Sequence, residues 1–373
     1  MKKTRVLQIL YSGLGGHAAV AFSLLAADTD RQWDSSLLFV GVEPLSAAYA
    51  QKCKDLNIPF YSLQTVAAHP WLCWLGVFCA LKKMRPDAII LHSINSIVSL
   101  FPVIFYCLFY RVRFIGVEHT PTNILSKIER IGSAIALCFS SKVVVLTDAY
   151  YHFYRYAYRW FRPTKKLAII SNGVDVVKYS RTQAIGSQDH YRIGMAARFT
   201  KAKRQDLLVS AMKLLVERRS DLNITLTLAG DGDCYSTIVK LVKDLNLGHV
   251  VELCGNLNEE QLLDWYQSLD LYAHASDGET LSISMLQAMS MGLPVLASDV
   301  PGINNLLHGD NEPLGILFSG NTDKEIAHAI EDICINLDRR IRLGQLARSF
   351  VIERYDQGLM FKLYNNLVCH LAN

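Results

Sequence analysis

Four clusters of residues in this chain have types and spacings that could do chemistry. The first is Gly13-Leu14-Gly15-Gly16, directly after the apolar run Val6 to Tyr11. Glycines between a strand and a helix let backbone N–H groups approach a phosphate at the positive end of the helix dipole. The spacing is neither GxGxxG nor a P-loop, and any tight strand-to-helix turn also uses glycine. The second is Arg198 with Lys203, in a basic stretch that follows the strand-like run Arg192 to Ala197. Two cations beyond the carboxyl end of a parallel strand could neutralise a diphosphate without metal, or form a solvated basic turn. The third is Ser276 to Val295, where Glu279 precedes a helical segment and Gln287 lies two turns further up the same face. A carboxylate there could accept hydrogen bonds from sugar hydroxyls, while the N–H groups of Thr280, Leu281, Ser282 and Ile283 face an anion; equally, Glu279 could only cap the helix. The fourth is Arg155, Arg159, Arg162 and Lys166, at spacings of 4, 3 and 4, interleaved with Tyr151, Tyr154, Tyr158, Trp160 and Phe161. One helical face carrying these cations would suit an anionic membrane surface; single-stranded nucleic acid and a packed helix with a basic edge are the alternatives.

Something regular must position these clusters. Short apolar or β-branched runs recur between helix-like segments: Ser36 to Val42, Ala88 to His92, Phe114 to Glu118, Lys142 to Leu146, Leu167 to Ser171, Arg192 to Ala197, Asn223 to Ala229, Val250 to Cys254, Leu269 to His274 and Pro294 to Ala297. Alternating β and α units of this kind imply parallel sheets covered by helices on both faces. About five strands precede Leu167 and about five follow Arg192, which predicts two doubly wound α/β domains. The polar, aperiodic stretch Ser180 to His190 reads as the linker.

A chain of 373 residues is long enough for two such domains, and 51% hydrophobic with 19% charged residues excludes disorder. The nine cysteines form no CxxC pair and read as reduced residues of a cytosolic protein, not a disulfide or zinc framework. The net charge of +4 hides an asymmetry: residues 1 to 166 carry 19 Lys and Arg against 9 Asp and Glu, a balance of +10, and the remainder carries 19 against 25, or −6. A basic half implies an anionic partner. No secretory signal is apparent, and the longest apolar stretch, Ile97 to Tyr110, is too short to span a bilayer.

The order of these motifs resembles a known family. A Gly-Gly loop after the first strand, Asn172-Gly173-Val174-Asp175, Arg198 with Lys203, Ala229-Gly230-Asp231-Gly232, Glu279 heading an E-x7-E element, and Ala288-Met289 before Gly292-Leu293-Pro294-Val295 look like the retaining glycosyltransferases of family 4. Within that family the chain resembles the bacterial cell-surface polysaccharide type. The resemblance implies the GT-B fold, two Rossmann-like domains facing each other across a cleft. It places an acceptor-binding, membrane-associated domain at 1–180, a nucleotide-sugar domain at 190–353, and a final helix over 354–373 returning to the first domain.

The resemblance also implies roles. Gly15 and Gly16 would approach the donor diphosphate from the first domain, and Arg198 with Lys203 would grip it from the second. Glu279 would bind donor-sugar hydroxyls, position 287 would face the ribose, and Asn256, Thr280, Leu281 and Ser282 complete the donor-binding set. His119, in Gly116-Val117-Glu118-His119-Thr120-Pro121, matches the family's histidine near the transferred sugar; a lone histidine is also a common structural or capping residue. Two departures stand out. The second Glu of E-x7-E is Gln287, which keeps an acceptor oxygen but loses the charge, and Asn304-Asn305 replaces a usual Pro-Glu. Asp231-Gly232-Asp233 follows a strand and reads as a turn, not a metal site.

The expected protein is a metal-independent, retaining enzyme without a cofactor. It would move a hexose or N-acetylhexosamine from a nucleotide sugar, with UDP-sugar the expected donor, to a lipid-linked saccharide. Its expected place is the cytoplasmic face of the inner membrane, as a peripheral protein on an anionic surface, with no nucleic-acid partner. A sugar-nucleotide epimerase of the same fold, or a non-catalytic binding protein, are the alternatives.

Overall fold

The computed structural model describes residues 3–13, 16–65, 71–121, 125–182, 190–309, 312–319 and 322–372. The chain divides into two compact units, Met1–Gly173 with Gln357–Asn373, and Val174–Asp356.

The first unit alternates strand and helix: β1 (Thr4–Leu10), α1 (Gly16–Ala27), β2 (Trp33–Gly41), α2 (Ala47–Asp55), β3 (Phe60–Gln64), α3 (Trp71–Met84), β4 (Ala88–His92), α4 (Ile97–Tyr110), β5 (Arg113–Val117), α5 (Lys127–Phe139), β6 (Lys142–Val145), α6 (Asp148–Ala157) and β7 (Leu167–Ile169). The sheet is parallel, in the order β3-β2-β1-β4-β5-β6-β7. Strands such as Ala88-Ile89-Ile90-Leu91-His92 are buried along their whole length, because helices cover both faces. Residues of α3, α4, α5 and α6 share one core with the sheet, and α1 and α2 form the other.

The second unit contains β8 (Tyr191–Ala196), α7 (Gln205–Arg218), β9 (Ile224–Ala229), α8 (Tyr235–Asp244), β10 (Val251–Gly255), α9 (Glu259–Ser268), β11 (Leu271–His274), α10 (Ile283–Ser290), β12 (Val295–Ser298), α11 (Pro301–Leu307), β13 (Ile316–Phe318), α12 (Asp323–Ile335) and α13 (Leu337–Arg354). Its parallel sheet runs β10-β9-β8-β11-β12-β13. The last helix, α14 (Gln357–Ala372), belongs to the first unit, where Asn365 Oδ1 accepts from Trp33 Nε1 at 2.8 Å. In both sheets the strand order reverses once, between β1 and β4 and between β8 and β11, and these are the places where open α/β sheets leave a ligand crevice at the carboxyl ends.

Three expectations differ from this architecture. The edge strands β3 and β13 go beyond the predicted set; β3 mixes polar Ser62 and Gln64 with apolar residues, and β13 is only 3 residues long. The boundary between units falls at Gly173/Val174, ahead of the expected 180; Val174 to Tyr179 packs on the second unit, with Tyr179 buried against Tyr266. The four basic residues 155, 159, 162 and 166 do not share a helical face. Helix α6 stops at Ala157 and gives way to 3-10 turns at Arg159–Phe161 and Pro163–Lys165. Pro163 cannot continue a helix, and its ring excludes the right-handed helical region for Arg162, which adopts φ 46°. Lys166 turns inward: its Nζ donates to Cys138 O at 2.6 Å, in the last turn of α5. Arg159 instead lies over the rings of Tyr156 and Trp160, the latter 83% exposed. Among the described residues no helix is long and apolar enough to cross a membrane.

Candidate active site

In the second unit the loops after β8 and β11 flank the reversal in strand order, and they are tied to one another. Asp277 N and Ser276 Oγ both donate to Ala202 O, at 2.8 and 3.1 Å, and Gln205 Nε2 at the start of α7 donates to Arg198 O at 3.2 Å. This lacing sets Lys203, in the first loop, against Glu279, in the second. Their side chains form an ion pair at Glu279 Oε1, which also accepts from His274 Nε2 at 2.8 Å. His274 closes β11, and its Nδ1 lies 3.2 Å from Tyr272 OH.

Glu279 is 8% exposed. Burial alone would raise its pKa, but Lys203 and His274 together outweigh burial and hold the carboxyl down at about 2. A group so acidic is no proton donor at neutral pH; it is a fixed anion and hydrogen-bond acceptor. His274 goes the other way, since burial lowers its pKa further than Glu279 can raise it. The loop itself is wedged. A Cβ on Gly302, in the first turn of α11, would sit 2.1 Å from Glu279 O and 2.3 Å from Thr280 O, so only glycine lets that helix approach the loop so closely.

The remaining expected donor residues divide. Thr280 and Leu281 are buried in the same loop, and Ser282 caps α10 by accepting from Met285 N at 3.4 Å. Arg198 is partly buried at the same end of the sheet, with its Cγ 3.1 Å from where a Cβ on Gly232 would lie. Gln287 is oriented by an aromatic pair absent from the sequence expectation: its Oε1 accepts from Tyr266 OH at 3.2 Å, and Tyr179 is stacked edge-on against Tyr266. Asn256 is exposed just beyond β10, an edge strand two positions from β8. Asp231 and Asp233 lie in a turn after β9, where Gly230 has φ 130° and Asp231 Oδ1 accepts from Gly232 N at 2.7 Å.

The reversal in the first unit carries a second cluster, of three histidines. His119, two residues past β5, places Nε2 3.0 Å from Nδ1 of His92, the last residue of β4. His92 Nε2 lies 3.1 Å from Oε1 of Gln8, a buried polar residue within β1. The amide oxygen calls for a proton on His92 Nε2, which leaves Nδ1 to accept from His119 Nε2–H. His17, in the first turn of α1, stacks on His119 with ring centroids 4.7 Å apart and pairs with Ser93 Oγ at 2.9 Å. Burial pushes all three histidines down, His17 to about 4 and His92 to about 3, and His119 well below its usual range.

Glu118 underpins the turn that presents His119. Its Oε1 accepts from Thr120 N at 2.9 Å, and its Oε2 accepts from Tyr154 OH and from Ser133 Oγ at 3.3 Å. Next to this cluster, Gly16 opens α1 with no described residue within 4 Å of where its Cβ would be. Gly15 lies outside the described residues.

The structure thus brings Lys203, Glu279, Thr280, Leu281 and Ser282 together in the second unit, and Gly16 with His119 in the first. Reading the sequence missed Gln8, His17, His92, Tyr266 and His274. Two of them carry a usable signal: His92 and His274 each end an otherwise apolar strand, Ala-Ile-Ile-Leu-His and Leu-Tyr-Ala-His.

Residues 181–350, nearly all of the second unit but under half of the chain, match the family model described as Glycosyl transferases group 1. Curated relatives include a D-inositol 3-phosphate glycosyltransferase of Pseudarthrobacter chlorophenolicus, 28% identical over 49% of this chain and 45% of the relative. The GDP-mannose-dependent alpha-(1-6)-phosphatidylinositol monomannoside mannosyltransferase of Mycobacterium tuberculosis is 25% identical over 52% of this chain and 54% of its own. The O-antigen biosynthesis glycosyltransferase WclY of Escherichia coli is 24% identical over 62% of each chain. The chain spans about half the length of the first of these relatives. Solved structures agree over nearly the full length. Anabaena Alr3699/HepE in complex with UDP-glucose superposes with a TM-score of 0.79 at 19% identity, covering 99% of this chain and 100% of that one. Sucrose-phosphate synthase of Thermosynechococcus elongatus gives 0.80 at 17% identity, covering 98% and 99%. The fold is therefore GT-B, built from two Rossmann-like units.

Proposed function

We propose that the chain is a retaining glycosyltransferase that moves a hexose or N-acetylhexosamine from a nucleotide sugar, with UDP as the expected carrier, to a lipid-linked saccharide. The observation that carries this reading is the ionised, buried Glu279 laced to Lys203 at the strand-order reversal of the second unit. A carboxylate there accepts from sugar hydroxyls, and Lys203 with Arg198 lies where a diphosphate would need cations. As the nucleoside diphosphate leaves, those cations stabilise its charge, the role a metal plays elsewhere. The acceptor hydroxyl attacks on the face that the leaving group vacates, and a donor phosphate oxygen takes its proton. Glu279 is held too acidic to be the base, so it orients the sugar and does not move the proton.

In the first unit, His119 is fixed by His92 and Glu118 and offers a neutral imidazole to the transferred sugar. The exposed Trp160 and Phe161 beside Arg155, Arg159 and Arg162 suit the interface of an anionic membrane, on the cytoplasmic side, where nine free cysteines stay reduced. The test is incubation with a panel of nucleotide sugars and crude lipid extract, in buffer containing a chelator. Mass spectrometry should find one sugar added to a lipid-linked glycan with its anomeric configuration kept. Transfer that requires added divalent metal, or an inverted anomer, overturns the mechanism; no product from any donor overturns the function.

A further inference from the structure

The end of the first sheet opposite the histidine cluster holds a cavity of about 750 Å³. It opens at the amino ends of β1, β4 and β5 and is lined by Lys3, Arg5, Lys82, Arg85 and Arg111, with Asp87 the one acid among the described residues. Asp87 is taken up by Arg5, which donates from Nη2 at 2.6 Å and from Nε at 3.1 Å. Among the described residues no acidic group pairs with Lys3, Lys82, Arg85 or Arg111, so among these residues four cations line the cavity without a counter-charge. The negative ends of α3 and α4 offset part of this charge.

What surrounds the cavity points to its ligand. Helices α3 and α4 pack side by side as crossovers between parallel strands, so both run the same way and end at the cavity. Their outer faces are apolar. On α3 the exposed stripe runs from Leu72 and Leu75, the latter 72% exposed, through Cys79 to Lys82; on α4 it runs from Phe105 and Phe109, the latter 76% exposed, to Arg111. An apolar stripe that turns basic at one end is the pattern of a helix lying in a bilayer interface, with cations at phosphate level.

We propose that this cavity seats the phosphate headgroup of an anionic membrane lipid while the outer faces of α3 and α4 lie against its acyl chains. The proposal rests on the membrane association proposed above, and goes beyond it by assigning a built phosphate site in place of diffuse attraction.

Vesicle flotation at low salt, using equal parts phosphatidylglycerol and phosphatidylcholine, tests it. Wild type should bind, and Lys82→Gln/Arg85→Gln/Arg111→Gln should bind about 100-fold more weakly, each cation near an anionic surface contributing about tenfold or less. Arg85→Lys/Arg111→Lys keeps the charge but loses the planar fork, and should bind about fivefold more weakly. The charge-matched control Lys213→Gln/Lys240→Gln/Lys243→Gln, on the second unit, should bind as wild type does; unchanged circular dichroism and hydrogen-exchange protection of β1, β4 and β5 show that each variant is folded. If wild type floats and the pocket triple variant floats equally well, the pocket is overturned and the membrane reading stands. Equal losses in the pocket and control triples mean diffuse charge and also overturn the pocket. If wild type floats with no vesicle, both readings fail. Binding of free inorganic diphosphate that is lost in the pocket triple, without flotation, overturns the lipid as its source.

Discussion

Glu279→Ala is expected to lower kcat/KM by at least about 100-fold, which corresponds to about 2.7 kcal/mol of transition-state stabilisation. The substitution removes the proposed acceptor for the sugar hydroxyls. It also leaves Lys203 and His274 facing each other in a buried site without the anion that now joins them. Glu279→Gln keeps the shape and loses the charge, so it should fall between wild type and alanine, with the larger part of its loss in kcat. Steady-state kinetics with the preferred nucleotide sugar measures both. Near-wild-type turnover by the alanine variant would show that the carboxylate is a structural cap.

Acid should weaken the first unit before the second. His92 and His119 stay neutral when folded because burial lowers their pKa values, whereas the unfolded chain exposes them at about 6.5. Below that pH the unfolded state binds protons that the folded unit refuses. The stability is therefore fully present above about pH 6.5 and is lost as the pH falls toward the lowered folded values, at about 3 kcal/mol per pH unit for two such histidines. His17, lowered to about 4, adds in the same direction. Glu118 acts with opposite sign: burial raises its pKa, so its contribution is present at low pH and is lost as the pH rises through the raised value. The second unit has one lowered histidine, His274, and Glu279, whose contribution is lost only below about 4.5 as the pH falls toward about 2. Hydrogen exchange followed from about pH 7.5 to about pH 5.5 should show amides of β1, β4 and β5 losing protection ahead of those of β8 and β11. Equal loss in both units, or none, would mean that the three histidines are solvated.

The sequence was most legible where chemistry and periodicity coincide. The alternation of apolar runs with helical segments marked two doubly wound units because central parallel strands are buried on both faces and read as unbroken apolar stretches. The edge strand β3 lacks that signature because polar residues interrupt it, and β13, though apolar, is only 3 residues long. Lys203 and Glu279 stood out as charged residues just past strands, and the fold brings these two together. His274, which joins them at Glu279, did not stand out. His119 was marked by its motif, but Gln8, His17 and His92, which surround it, are scattered along the chain and meet only because β1, β4 and β5 are neighbours in the sheet, an order that no local spacing encodes. Residues 155 to 166 differ for another reason. A spacing of 4, 3 and 4 fits one helical face, but Pro163 lies inside it, and a proline after Arg162 ends the helix whatever the charge pattern.

In the proposed reaction the second unit grips a nucleoside diphosphate with protein cations at its strand-order reversal. Calorimetric titration of UDP into wild type and into Arg198→Ala and Lys203→Ala, with chelator present throughout, tests it most directly. Wild type should bind, and each variant should bind at least about tenfold more weakly, since each loses a charge-assisted contact to phosphate. Wild-type affinity in both variants, or no UDP binding by wild type in chelator that returns when a divalent metal is supplied instead, would contradict it.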